Sequence, residues 1–136
     1  MVDGAARGNP GEAGCGAVIF DEAGAVREEV FRYLGKATNN VAEYEGLLMG
    51  LEAVLRLGGT RLKVQSDSQL LVRQLNGLYR VKDQKLRPLY QQALRLLQRL
   101  ETCRIIHIGR EQNRQADRLA NQAIDTALKR IQVKKR

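Results

Sequence analysis

The chain has 136 residues, 43% of them hydrophobic, and a formal net charge of +8 at pH 7. That length suits one domain around one core, and that hydrophobic content excludes wholesale disorder. No apolar run is long enough to span a bilayer, and Met-Val-Asp-Gly does not open a signal peptide, so a cytoplasmic protein with no membrane partner is expected.

Residues 2–5 read as the end of a strand, cut off by Gly8, Pro10 and Gly11. Cys15–Phe20 reads as a buried strand, Asp21–Gly24 as a turn, and Val26–Leu34 as a third strand, giving an antiparallel meander. The period then changes. Val41, Tyr44, Leu48, Leu51 and Leu55 fall on one helical stripe, with Leu47 and Val54 beside it. Thr38 or Asn39 caps that helix and Gly58-Gly59 ends it. Leu62–Ser66 is a short strand, and Ser68–Leu75 a short helix stopped by Asn76-Gly77. Leu86, Leu89, Ala93, Leu96, Leu97 and Leu100 mark a further helix with Pro88 in its first turn. Arg104–Ile108 is the last strand and Gln115–Leu128 the last helix. The order βββαβααβα predicts an α/β fold with a mixed sheet covered by helices. Residues 1–128 form the domain and 129–136 a frayed basic tail. Cys15 and Cys103 form no metal-ligand pattern and read as buried small hydrophobes. A monomer is expected.

Charge is unevenly spread. From Arg80 to Arg104 seven basic residues face only Asp83 and Glu101, and the tail adds five more with no acid. A polyanion is therefore a plausible partner, with Arg80, Lys82, Lys85 and Arg87 as candidate phosphate contacts.

Four acids stand at the starts or ends of different elements: Asp3 in the first strand, Glu43 early in the first long helix, Asp67 directly after the fourth strand, and Asp117 early in the last helix. Taken singly, Glu43 reads as a solvated helix residue, Asp67 as a helix cap and Asp117 as a surface acid of a first turn. Asp3 is harder to dismiss, because a carboxylate buried in an apolar strand is costly. If they converge, the four repel one another unless cations lie between them, and hard oxygen ligands favour Mg²⁺ or Mn²⁺.

Four segments set these acids in a known context. Asp3-Gly4-Ala5-Ala6-Arg7-Gly8-Asn9-Pro10-Gly11, Thr38-Asn39-Asn40-Val41-Ala42-Glu43-Tyr44, Val64-Gln65-Ser66-Asp67-Ser68 and Arg110-Glu111-Gln112-Asn113-Arg114-Gln115-Ala116-Asp117-Arg118-Leu119-Ala120 resemble, in order, the four motifs of the type 1 ribonucleases H. The resemblance covers residues 3–120, and the segments match the compact branch without a basic handle. It implies the ribonuclease H fold, a central five-stranded mixed sheet flanked by helices. It implies endonucleolytic cleavage of the RNA strand of RNA–DNA hybrids by two metal ions, leaving 5′-phosphate and 3′-hydroxyl ends. Asp3, Glu43, Asp67 and Asp117 take the metal-site places. Asn9, Asn39 and Asn40 match minor-groove contacts, and Thr38 a residue that helps hold a DNA phosphate. Double-stranded RNA is an alternative substrate, because its A-like shape is shared, and a non-catalytic binding module is the alternative of another class.

This sequence departs from the family pattern in three ways. It starts two residues before Asp3, so the first strand is short or the true start lies upstream. The run from Asn76 to Pro88 is too short for a handle. His107, the only histidine, falls in the last strand rather than in the loop before the last acid, so a structural role is expected for it, with Arg110 or Glu111 in the proton-transfer loop instead.

Overall fold

Five strands and four helices make up the computed structural model, which describes residues 1–134. They run β1 (Val2–Gly8), β2 (Gly11–Phe20), β3 (Val26–Ala37), α1 (Asn39–Arg56), β4 (Arg61–Ser66), α2 (Gln69–Leu75), α3 (Arg87–Leu97), β5 (Thr102–His107) and α4 (Arg114–Lys134), with a 3-10 turn at Arg110–Gln112. The sheet order is β3-β2-β1-β4-β5. β1 pairs antiparallel with β2 and β2 with β3; β4 runs parallel to β1 and to β5. The mixed sheet is the expected one, and β1 lies at its centre with Asp3 near its start.

Both faces of the sheet are covered, which is why β2 is buried continuously from Ala13 to Val18 rather than alternately. Alternate residues of β2 meet different helices. Cys15 and Ala17 lie under Gly46 and Gly50 of α1, whereas Gly14 and Gly16 lie under Ala116, Leu119, Ala120 and Ala123 of α4. The core centres on Tyr44, Leu47, Leu48, Leu51 and Val54 of α1, closed by Val64, Leu71, Leu86 and Ala93. Val41 and Leu55, at the edges of the predicted stripe, are only partly buried.

Several boundaries differ from expectation. β1 does not stop at Ala5, nor does β2 wait for Cys15: the two pair rung by rung to Gly8↔Gly11, because Gly8 takes the positive φ of 99° that turns the chain back. β3 runs on to Ala37, and α1 is capped by Thr38, whose Oγ1 accepts from the Val41 amide at 3.2 Å. α4 continues past Leu128 to Lys134, so the predicted tail begins as helix; its last two residues, 135 and 136, lie outside the described residues. No breaker follows Leu128, and Lys and Arg are good helix formers that suit a helix C-terminus. Cys15 is buried as expected, whereas Cys103 is only half-buried, on the edge strand β5. β1 meets β4 at a single rung, Val2↔Ser66. A cleft of about 1370 Å³ lies beyond that rung, lined by β2, β4 and α1, and none of the four acids borders it. Among the described residues no helix is long and apolar enough to cross a membrane.

Candidate metal centre

Close packing around β1 brings the acids together. Gly4 follows Asp3, and a Cβ on it would stand 2.2 Å from the Ala42 carbonyl carbon and 2.3 Å from the Glu43 nitrogen. α1 therefore crosses β1 in backbone contact and carries Glu43 beside Asp3. Gly16 is the β2 partner of Asp3. A Cβ there would meet Leu119 Cβ at 2.6 Å and the Ala116 carbonyl oxygen at 2.7 Å, so α4 lies directly on that rung and brings Asp117 over Asp3. Asp67 arrives along the sheet, because Ser66 before it pairs with Val2 before Asp3.

One oxygen each from Asp3, Glu43 and Asp67 lie within 4.8 Å of one another. Asp117, exposed on α4, is not in that mutual set but lies near enough to Asp3 to help raise its carboxyl. Asp3 is 4% exposed. Burial first, then the charges of Glu43 and Asp67, push its carboxyl up to about 10, so it keeps its proton among the neighbouring carboxylates of Glu43, Asp67 and Asp117. Burial and then the charge of Asp67 push Glu43 up to about 8, although the hydrogen bonds from Asp3 and the Gly4 amide pull it back. The Glu43 Oε2 is buried with no hydrogen-bond partner. Crowded, partly buried carboxylates with an unpaired oxygen among them fit a hard divalent cation, which would replace the protons that otherwise hold the cluster together.

Asp67 does not cap α2. Ser68 does, its Oγ accepting from the Leu71 amide at 3.2 Å, which leaves the Asp67 carboxylate free for the cluster. Asn9 and Asn39 lock the β1–β2 turn to the start of α1. The Asn39 amide donates to Asn9 Oδ1 at 3.1 Å, and Asn39 Oδ1 accepts from the Ala6 amide at 3.0 Å. Asn40 is exposed in the first turn of α1. Arg80, Lys82, Lys85 and Arg87 are all exposed on the connection from α2 into α3, which contains no further helix. Arg110 and Glu111 are exposed in the 3-10 turn before α4. His107 ends β5 opposite Ser66, held in the ladder but with its side chain exposed.

The sequence does not single out two buried amides as site residues, although Asn113 lies within the fourth motif segment. Gln74 in α2 accepts a 2.6 Å bond from the Tyr44 hydroxyl and donates to the Arg80 carbonyl, tying the basic connection to α1. Asn113, fully buried, donates from Nδ2 to the Val2 carbonyl at 2.9 Å. Polar residues in exposed-looking segments give no pattern by which to find them; only the place of Asn113 in that segment, one helical turn before Asp117, could have drawn attention to it.

Residues 1–123 match the family described as reverse transcriptase-like. A bifunctional protein of Mycobacterium tuberculosis is 44% identical over 127 residues, which is 93% of this chain and 35% of that protein. A ribonuclease HI of Halobacterium salinarum is 41% identical over 125 residues, 92% of this chain and 63% of that protein. This chain thus spans about a third and under two thirds of the length of those two relatives. A ribonuclease H1 solved in complex with an RNA/DNA hybrid superposes with a TM-score of 0.89 at 42% identity, covering 93% of this chain and 96% of that one.

Proposed function

Because this chain belongs to the reverse transcriptase-like family and is similar to type 1 ribonucleases H, we propose that it is an endonuclease hydrolysing the RNA strand of RNA–DNA hybrids. The observation that carries the reading is the convergence of Asp3, Glu43 and Asp67 within 4.8 Å, with Asp117 beside Asp3. A binding module gains nothing from burying carboxylates that repel one another. Support for the substrate comes from the similar ribonuclease H1 solved with an RNA/DNA hybrid.

Asp3, Glu43, Asp67 and Asp117 would hold the cations, two Mg²⁺ or Mn²⁺ in their place. When bound, such ions supply Lewis acidity at the scissile phosphate and an activated water. The chain's own groups do the rest. β1, the end of β4 and the packed starts of α1 and α4 fix the carboxylates before substrate arrives. The amide oxygens of Asn9 and Asn39 are engaged by backbone N–H groups, so their Nδ2 groups, with Asn40, are the donors left for base-edge acceptors and 2′-hydroxyls. Thr38, at the head of α1, and the exposed Arg80, Lys82, Lys85 and Arg87 serve the phosphates. Water adds to phosphorus, the bond to the 3′-oxygen breaks, and the products are a 5′-phosphate and a 3′-hydroxyl. We assign proton transfer to the loop ahead of Asp117, which contains the exposed Arg110 and Glu111.

A labelled RNA strand, annealed to DNA, annealed to RNA or left single, tests the reading with Mg²⁺, Mn²⁺ or EDTA. Cleavage of the DNA-annealed strand with either metal, and none with EDTA, is expected. Equal cleavage of the RNA duplex widens the substrate to A-form helices, and no metal-dependent cleavage of any of the three refutes the reading.

A further inference from the structure

We propose that Asn113 is a positioning residue for the acid cluster: its amide ties the first turn of α4, which carries Asp117, to the residue before Asp3, and so sets how tightly the cluster holds a divalent cation. This rests on the metal-site reading above. Val2 stands where three of the acids are set in place. It precedes Asp3 in β1, and it pairs with Ser66, which precedes Asp67. Asn113 Nδ2 donates to the Val2 carbonyl at 2.9 Å. The Asn113 carbonyl in turn accepts from the Asp117 amide at 3.1 Å, one helical turn on. A single side chain therefore connects the turn that carries Asp117 to the peptide that leads into Asp3.

Stability does not explain an amide in this place. Asn113 is fully buried, yet its Oδ1 has no partner. A buried polar atom left unpaired opposes folding. Leucine has nearly the same shape and would fill the volume without that cost. What asparagine supplies and leucine does not is the donor to Val2. Turning the amide over would set two oxygens against each other, so Nδ2 is the atom that faces the Val2 carbonyl. Groups one layer behind metal ligands usually act by fixing the geometry of those ligands.

The test is Asn113→Leu in the full chain. The variant should fold and, without metal, melt close to the parent, because relief of the unpaired Oδ1 offsets the lost bond to Val2. Its Mg²⁺ half-saturation for hybrid cleavage should rise by about 10-fold or more, in the range for groups behind metal ligands, while KM for hybrid at saturating Mg²⁺ stays unchanged. The Mg²⁺-induced rise in melting temperature, which needs no substrate, should shrink in parallel. Asn113→Gln, which returns an amide donor, should recover part of both. A parent-like half-saturation and melting response in Asn113→Leu overturns the positioning role alone. A parent that shows neither response to Mg²⁺ overturns the metal-site reading and this one with it. If Asn113→Leu fails to fold, Asn113→Ser, with a shorter donor, is judged by the same two titrations.

Discussion

Asp3 bears most of the electrostatic strain of the site, and the strain has a sign that can be measured. Unfolded, its carboxyl titrates near 3.8 and that of Glu43 near 4.5; folded, they stand at about 10 and about 8. Between those values the native state keeps protons that the unfolded chain has lost, so raising the pH favours unfolding. In EDTA the protein should therefore lose stability as pH rises from about 5 to 9, the Glu43 contribution ending near 8 and that of Asp3 continuing toward 10. The buried Met1 amine works the other way, since burial lowers it to about 6 from 8.0 and its contribution grows with pH. Comparison with Asp3→Asn cancels that opposing effect. The variant should melt higher than the parent at pH 9, with the gap closing toward pH 5. A gap that stays constant across this range would contradict the buried, proton-held cluster. The four acids were legible at this scale because each stands at an element boundary inside a recognisable motif. Asn113 and Gln74 were not, because their roles exist only through partners 111 and 30 residues away in the chain.

At the scale of elements, the site depends on how closely α1 and α4 approach the sheet. Gly4 makes the α1 contact possible, and a methyl there would overlap backbone atoms that have nowhere to move. Gly4→Ala should cost at least about 3 kcal/mol, the upper end for overpacked cores, read as a fall in the denaturant midpoint. Gly109→Ala, where a Cβ meets nothing within 4 Å, is the control and should be near neutral. A Gly4→Ala variant as stable as that control would mean that the crossing is looser than described. The helices were readable in the sequence because their apolar positions recur at 3.6-residue spacing, as in α1 and α3. The β1–β2 hairpin was read too short because Ala5-Ala6-Arg7 and Glu12-Ala13-Gly14 have no alternation to show. Their extended shape comes from pairing with each other and, for β2, with β3. Gly8 and Gly11 look like strand breakers by composition but form the turn that keeps the two strands in register.

At the scale of the whole molecule, a chain with a net charge of +8 carries a partly buried acidic cluster. The exposed run Arg80, Lys82, Lys85 and Arg87 leads into α3 and is anchored through Gln74. If those side chains meet phosphates, removing Lys82 and Lys85 together should weaken hybrid binding at low salt. The slope of log K against log salt should flatten by roughly one per lost contact. An unchanged slope would return them to the solvated surface. Cleavage itself is the claim that joins these scales, and Asp67→Asn tests it most directly. Ser68 holds the α2 cap, so the substitution removes charge from the cluster without removing a cap. On a hybrid with labelled RNA at saturating Mg²⁺, the variant should fold, melt no lower than the parent and bind the hybrid, yet cleave slower by orders of magnitude. Near-parental cleavage by folded Asp67→Asn would contradict the account.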